Sequence, residues 1–139
     1  MEWQRVRWKF DKCIAVDKMG RGEGLALLWT NAVNVEVTSF SNKHIDVLVG
    51  ESEDQRKWRF TGFYGKPDMR KRHESWDLLR RLKDCSMLSW LYIGDFNEIM
   101  RSEEKLGGAQ RPIRQIENFR EVVVDCGLNE LKLNGKKFT

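Results

Sequence analysis

The chain has no long apolar run: its best candidate, Leu25 to Trp29, is far too short to cross a membrane. Met1 to Arg7 lacks the apolar core of a secretory signal. Cysteine is scarce and odd in number. Cys13, Cys85 and Cys126 show no Cys-x-x-Cys spacing, which argues against a disulfide framework or a zinc site and for a reducing compartment. The glycines of Gly20 to Gly24 follow neither a GxGxxG nor a GKS/T pattern, and no helical periodicity comes after them. They read as a turn between strands. No internal repeat or low-complexity segment is present. These absences leave an intracellular chain without a recognisable nucleotide loop.

What is present suits one globular domain over residues 1–139, since 40% of the residues are hydrophobic and can bury a core. The net charge of +4 is local. Lys66 to Lys83 holds seven basic and three acidic residues, while the rest balances at 18 of each. A polyanionic partner would use such a segment; a solvated helix face explains the same charges more simply.

Periodicity places the elements. Trp3, Val6 and Phe10 recur at helical spacing, without a capping residue before them. Cys13 to Val16 and Leu25 to Trp29 read as strands, the second buried. Val33, Val35 and Val37 alternate with polar residues, as do Ile45, Val47 and Val49. Ser41-Asn42-Lys43 between them is a turn, so the two make an antiparallel hairpin. His44 reads as a surface residue, because no partner for a ligand role lies near it. Trp58 to Tyr64 carries aromatics on both faces and fits an interior strand covered on both sides; Pro67 ends it. Arg70 to about Cys85 should be a helix, capped by Asp68, with Trp76, Leu79 and Leu82 as its apolar stripe. A second helix is expected over Arg114 to Cys126, with Ile116, Phe119, Val123 and Cys126 inward and Gly127 as its stop. A short strand is expected over Leu128 to Leu133, and a turn at Asn134-Gly135.

The stretch that could carry chemistry is Gly94-Asp95-Phe96-Asn97-Glu98-Ile99, at the end of a strand predicted to be buried from Trp90 to Ile93. Ligands of open α/β sheets sit at the carboxyl ends of strands. Asp95 and Asn97, two apart, point the same way if strand geometry persists. A carboxylate can hold a divalent cation or take the proton of an attacking water, and an amide can donate to a phosphate oxygen. Read alone, the four residues Gly-Asp-Phe-Asn are more simply a strand-end turn. Tyr64 also stands at a strand terminus, 31 residues before Asp95. It is either a core residue with its hydroxyl at the edge or a phenol that supports a phosphate.

Gly62-Phe63-Tyr64-Gly65-Lys66-Pro67, the Arg72-His73-Glu74-Ser75-Trp76 helix and Gly94 to Ile99, taken in order, resemble the endonuclease/exonuclease/phosphatase superfamily. More narrowly they resemble the endonuclease domain of plant non-LTR (LINE-type) retrotransposons. Gly24 to Trp29, the stretch from Arg111-Pro112 to Gly127-Leu128, and the closing Lys137-Phe138-Thr139 are similar to the same subgroup. The resemblance implies a two-sheet α/β sandwich and a Mg²⁺-dependent nuclease that nicks DNA in the nucleus. A reverse transcriptase region would accompany it in a parent polyprotein. It implies that Tyr64 lies beside the scissile phosphate, that Asp95 orients or deprotonates the water, and that Asn97 contacts the phosphate and stabilises transition-state charge. To Lys66 it gives a phosphate contact at most.

The resemblance also implies parts that this sequence does not display. An early strand with an asparagine and a metal-binding glutamate, and a late Ser-Asp-His segment, are not found. Glu2, His44 and His73 do not stand in matching contexts. The expectation is therefore a partial sandwich lacking its first and last strands, a fragment or inactive remnant with an incomplete site. Two other readings stay open: a basic module that holds nucleic acid without cutting, and a phosphatase acting on a small phosphorylated substrate.

Overall fold

The computed structural model describes residues 7–17, 24–51, 56–105 and 107–131. Six strands and two helices follow in the order β1 (Lys12–Val16), β2 (Leu25–Trp29), β3 (Val35–Ser41), β4 (His44–Val49), β5 (Trp58–Tyr64), α1 (Arg72–Asp84), β6 (Trp90–Asp95) and α2 (Ile113–Asp125). Strands β1 and β2 pair antiparallel as a small sheet; β3-β4-β5-β6 form a second one, antiparallel except for the parallel pair β5–β6. The class is mixed α/β with two sheets, as expected. Among the described residues no helix is long and apolar enough to cross a membrane.

Strand alternation divides the larger sheet into two unlike faces. Arg59, Thr61 and Phe63 of β5 are buried on one face, under the helices. Trp76, Leu79, Phe119, Val122 and Cys126 form the helix-side core, with Trp90, Tyr92, Phe96 and Leu128 packed against it. Trp76 and Phe119 stack at 5.0 Å between ring centroids. The other face, with Phe60, Gly62 and Ile93, meets β2 across an apolar cavity of about 220 Å³ that Leu25 and Leu27 help to line. That cover is partial. Trp58, Phe60 and Tyr64 are only half-buried, and Ile93 on the edge strand β6 is 59% exposed. So β5 is interior within its sheet but fully covered on one side alone, and the run Trp90 to Ile93 is not a buried strand.

A polar network lies inside the helix face, where periodicity of apolar residues gives no sign of it. Asp46 on β4 accepts from Arg59 Nε at 2.8 Å and from Thr61 Oγ1 at 2.5 Å. Arg59 also donates to the Leu82 carbonyl on α1 and lies over the Trp90 ring, and Trp90 Nε1 donates to Thr61 Oγ1 at 2.8 Å. Every charge there has a partner, which makes the burial tolerable. His44 belongs to the same face and is buried, against the expectation of a surface residue. Its two ring nitrogens meet Ser39 Oγ at 3.0 Å and Ser41 Oγ at 2.7 Å, and these hydroxyls replace water.

Local signals set the helix ends. Asp68 caps a 3₁₀ turn, Met69–Lys71, by accepting from Arg70 N at 3.0 Å, and α1 starts after that turn rather than at Arg70. Gly127, at φ 64°, reverses the chain after α2. Its N–H donates to Val124 O and that of Leu128 to Val123 O, the paired bonds of a Schellman stop. Leu128 is thereby folded back onto the core. Residues 128–131 form no strand, contrary to expectation; residues 132–139, with the Asn134-Gly135 turn, lie outside the described residues. So do residues 3–6 of the helix expected over Trp3 to Phe10; of its described part Arg7 keeps helical geometry, while residues 8–10 are turn and coil, contrary to expectation.

Candidate functional site

Parallel pairing gives β5 and β6 a common carboxyl end. The register sets Tyr64 opposite Asp95 as Cα partners. Both side chains belong to the sheet face turned away from the helices, because Phe63 and Gly94 alternate to the helix side. Residues 31 apart in sequence are thus neighbours at the strand ends where ligands of α/β sheets bind.

Each residue of the motif after Ile93 has its own structural reason. A methyl at Gly94 would overlap the carbonyl oxygen of Phe63 on the neighbouring strand, so only glycine lets β5 and β6 run this close. Asp95 closes the strand and is exposed. Phe96 turns into the core, with ring centroids 5.2 Å from Phe119 and 5.6 Å from Phe63. Asn97 adopts a left-handed backbone at φ 54°, a conformation that asparagine tolerates better than most residues. Its N–H donates to Asp95 Oδ1 at 2.8 Å, and its Nδ2 donates across to Gly65 O at 2.9 Å. Gly65 N–H in turn donates to Asp95 O at 2.7 Å.

The strand therefore ends at Asp95, and Asn97 does not continue its alternation. The expectation that Asp95 and Asn97 point the same way by strand geometry does not hold. A turn, fastened by the aspartate itself, brings them together. The strand-end turn and the candidate site are the same object.

Glu98 was not singled out by sequence, yet it anchors this turn. Its side chain is 1% exposed. Oε2 accepts from Arg72 Nη1 at 2.7 Å, and Oε1 accepts from Ile99 N at 3.1 Å. Arg111 Nε lies 3.0 Å from Oε1 without an aligned N–H, so that contact is one of charge rather than a formed hydrogen bond. Arg72 is off the apolar stripe of α1 but still buried, with secondary contacts to Lys66 O, Pro67 O and Gln115 Oε1 at 3.3–3.5 Å. No local pattern announces a triad drawn from positions 72, 98 and 111.

Lys66 stands apart from the Tyr64–Asp95 pair. Its Nζ lies 3.0 Å from Glu74 Oε2, and its N–H donates to Ser75 Oγ at 2.9 Å. The hydrogen bond from Lys66 holds the Glu74 carboxyl below the usual range. Lys43 lies on the other side of Tyr64: its carbonyl accepts from Tyr64 N at 2.8 Å, and its ammonium sits 4.9 Å from the ring centroid. Burial drives the Tyr92 phenol far above its ordinary pKa, and its hydroxyl has no partner among the described residues. It is a core group, not a site group.

At this turn the carboxylate open to a divalent cation is that of Asp95. Among the described residues no three His, Cys, Asp or Glu side chains gather to hold a metal. Asp95 is the exposed carboxylate, while Glu98 beside it is engaged by two arginines. What the arrangement can do is accept a proton at Asp95, donate one from Tyr64, and offer the second side-chain N–H of Asn97.

No family model matches the chain, and no curated protein matches it.

Proposed function

We propose that the chain carries a phosphodiesterase domain of the retrotransposon-endonuclease kind, built on its mixed α/β two-sheet fold. In this reading it engages the backbone of DNA at Tyr64, Asp95 and Asn97 and hydrolyses it poorly. The observation that carries the reading is the Tyr64–Asp95 register at the common end of β5 and β6, with Asn97 latched to Gly65. In the proposed chemistry Asp95 orients a water and takes its proton as the water attacks phosphorus. The P–O bond to the leaving sugar oxygen then breaks, and that oxygen needs a proton. Tyr64 is the acidic hydrogen nearest to Asp95 in the register. Mg²⁺ stays in the proposal as the cofactor that the resemblance implies; Asp95 alone is available to it, and no step is routed through it. Lys66 would contact a flanking phosphate only by leaving Glu74.

A set that works as a unit loses most of its rate when members are missing. Plasmid nicking in Mg²⁺ tests this, comparing wild type with Asp95→Asn. The expected result is no nicking by wild type above the variant. Nicking that depends on Asp95 would overturn the proposed poor hydrolysis.

A further inference from the structure

Beside the Tyr64–Asp95 end, on the helix side of the sheet, the β3–β4 turn and α1 enclose a cleft of about 410 Å³. Lys43, Lys66, Arg81, His44, Glu74 and Ser75 are among its lining residues. Three cations face one carboxylate, and that carboxylate is already paired with Lys66. The charged form of His44 is disfavoured: burial chiefly lowers its pKa, Arg59 and Arg81 act the same way, and Asp46 opposes them.

The basic segment of the sequence is resolved by these contacts. Arg70 pairs with Asp68, Arg72 with Glu98, Arg80 with Asp125 and Lys66 with Glu74. Among the described residues Lys71, Arg81 and Lys83 have no ion pair, and of these Arg81 alone lines the cleft. An uncompensated guanidinium beside a cleft favours an anion, and its planar fork suits phosphate. The cleft also lies in line with the candidate site. Lys43, Tyr64 and Asp95 follow one another across the sheet end, through a backbone bond and a register pair. At roughly 4.8 Å per strand, Lys43 stands about 10 Å from Asp95. A nucleic-acid strand spans that distance in a few nucleotides.

We infer that this cleft holds a backbone phosphate of a nucleic acid, a few nucleotides from the one at Asp95, with Arg81 as its principal cation. The inference rests on the reading of the Tyr64–Asp95 end as a backbone site. The test is the affinity of a labelled duplex oligonucleotide, measured by anisotropy over a range of salt, for wild type, Arg81→Ala and Lys83→Ala. Lys83, two residues on along α1, lies on another face and controls for net charge. Arg81 is exposed, so its removal should leave the fold intact, as tryptophan fluorescence would verify.

Arg81→Ala should weaken binding roughly three- to tenfold and lower the slope of log K against log salt by about one. Lys83→Ala should leave both near wild type. Equal behaviour of the two variants, or no duplex binding by wild type, would overturn the cleft. Loss of the Arg81 effect while Asp95→Asn still alters binding would leave the Asp95 reading standing. An Arg81 effect with indifference to Asp95 would support the cleft and remove that reading instead.

Discussion

Replacing Glu98 by glutamine tests how the site turn is held. The substitution keeps the shape of the side chain and removes its charge. Arg72, 7% exposed at its side chain, would then keep a guanidinium with neutral acceptors alone: the introduced amide oxygen, and Lys66 O, Pro67 O and Gln115 Oε1 at 3.3 Å or longer. Arg111 would lose its charge partner as well. Breaking a buried pair by removing one member costs about 3–5 kcal/mol, because the other charge stays buried. Against a typical total of about 5–15 kcal/mol, that is a large share. Urea unfolding followed by tryptophan fluorescence would read it. With an m-value of about 2 kcal/mol per molar, the midpoint should fall by about 1.5–2.5 M. The double variant Arg72→Met with Glu98→Met should recover part of the loss, since apolar replacement of both partners removes the stranded charge. A Glu98→Gln loss below about 1 kcal/mol, the range of an exposed pair, would refute the claim that this triad anchors the turn.

Two further outcomes follow from single contacts. Gly94→Ala should cost more than about 3 kcal/mol, beyond ordinary overpacking, because the obstacle is the Phe63 backbone carbonyl rather than a movable side chain; an unchanged urea midpoint would contradict the β5–β6 spacing. His44 has a folded pKa lowered mainly by burial. Its contribution to stability is therefore present above the ordinary imidazole value of about 6.5 and is lost as pH falls through the lower folded value, since the unfolded chain binds the proton first. His44→Gln should flatten the fall in stability as pH drops below about 6.5; an unaltered profile would show that another group titrates there.

Much of the fold is legible in the sequence, and the reason is periodicity. Strands β2 and β5 fall where their apolar runs begin and end, and both helices lie within two residues of their expected starts. The hairpin around Asn42 and Lys43 follows from turn residues between two alternating runs. Periodicity ranks residues by hydrophobicity, so it cannot reveal that Arg59 is 1% exposed or that His44 and Asp46 face inward. Their burial depends on partners brought from other strands. The candidate site divides in the same way. Tyr64 and Asp95 could each be placed at a strand end, but their adjacency depends on the β5–β6 register, which the connection through α1 sets. Asn97 was expected on a continuing strand, and one positive φ changes its direction. Glu98 was missed because its arginines come from positions 72 and 111.

The most direct test of the central claim, that Asp95 faces a nucleic-acid phosphate, is the duplex affinity of wild type and Asp95→Asn in a chelating buffer without divalent cations. Asparagine keeps an oxygen for the Asn97 N–H, so the turn should persist. Removing a carboxylate about 4 Å from a phosphate relieves about 1 kcal/mol of repulsion in water, which predicts roughly fivefold tighter binding by the variant. Identical affinities would contradict the account and leave Asp95 as a turn residue alone.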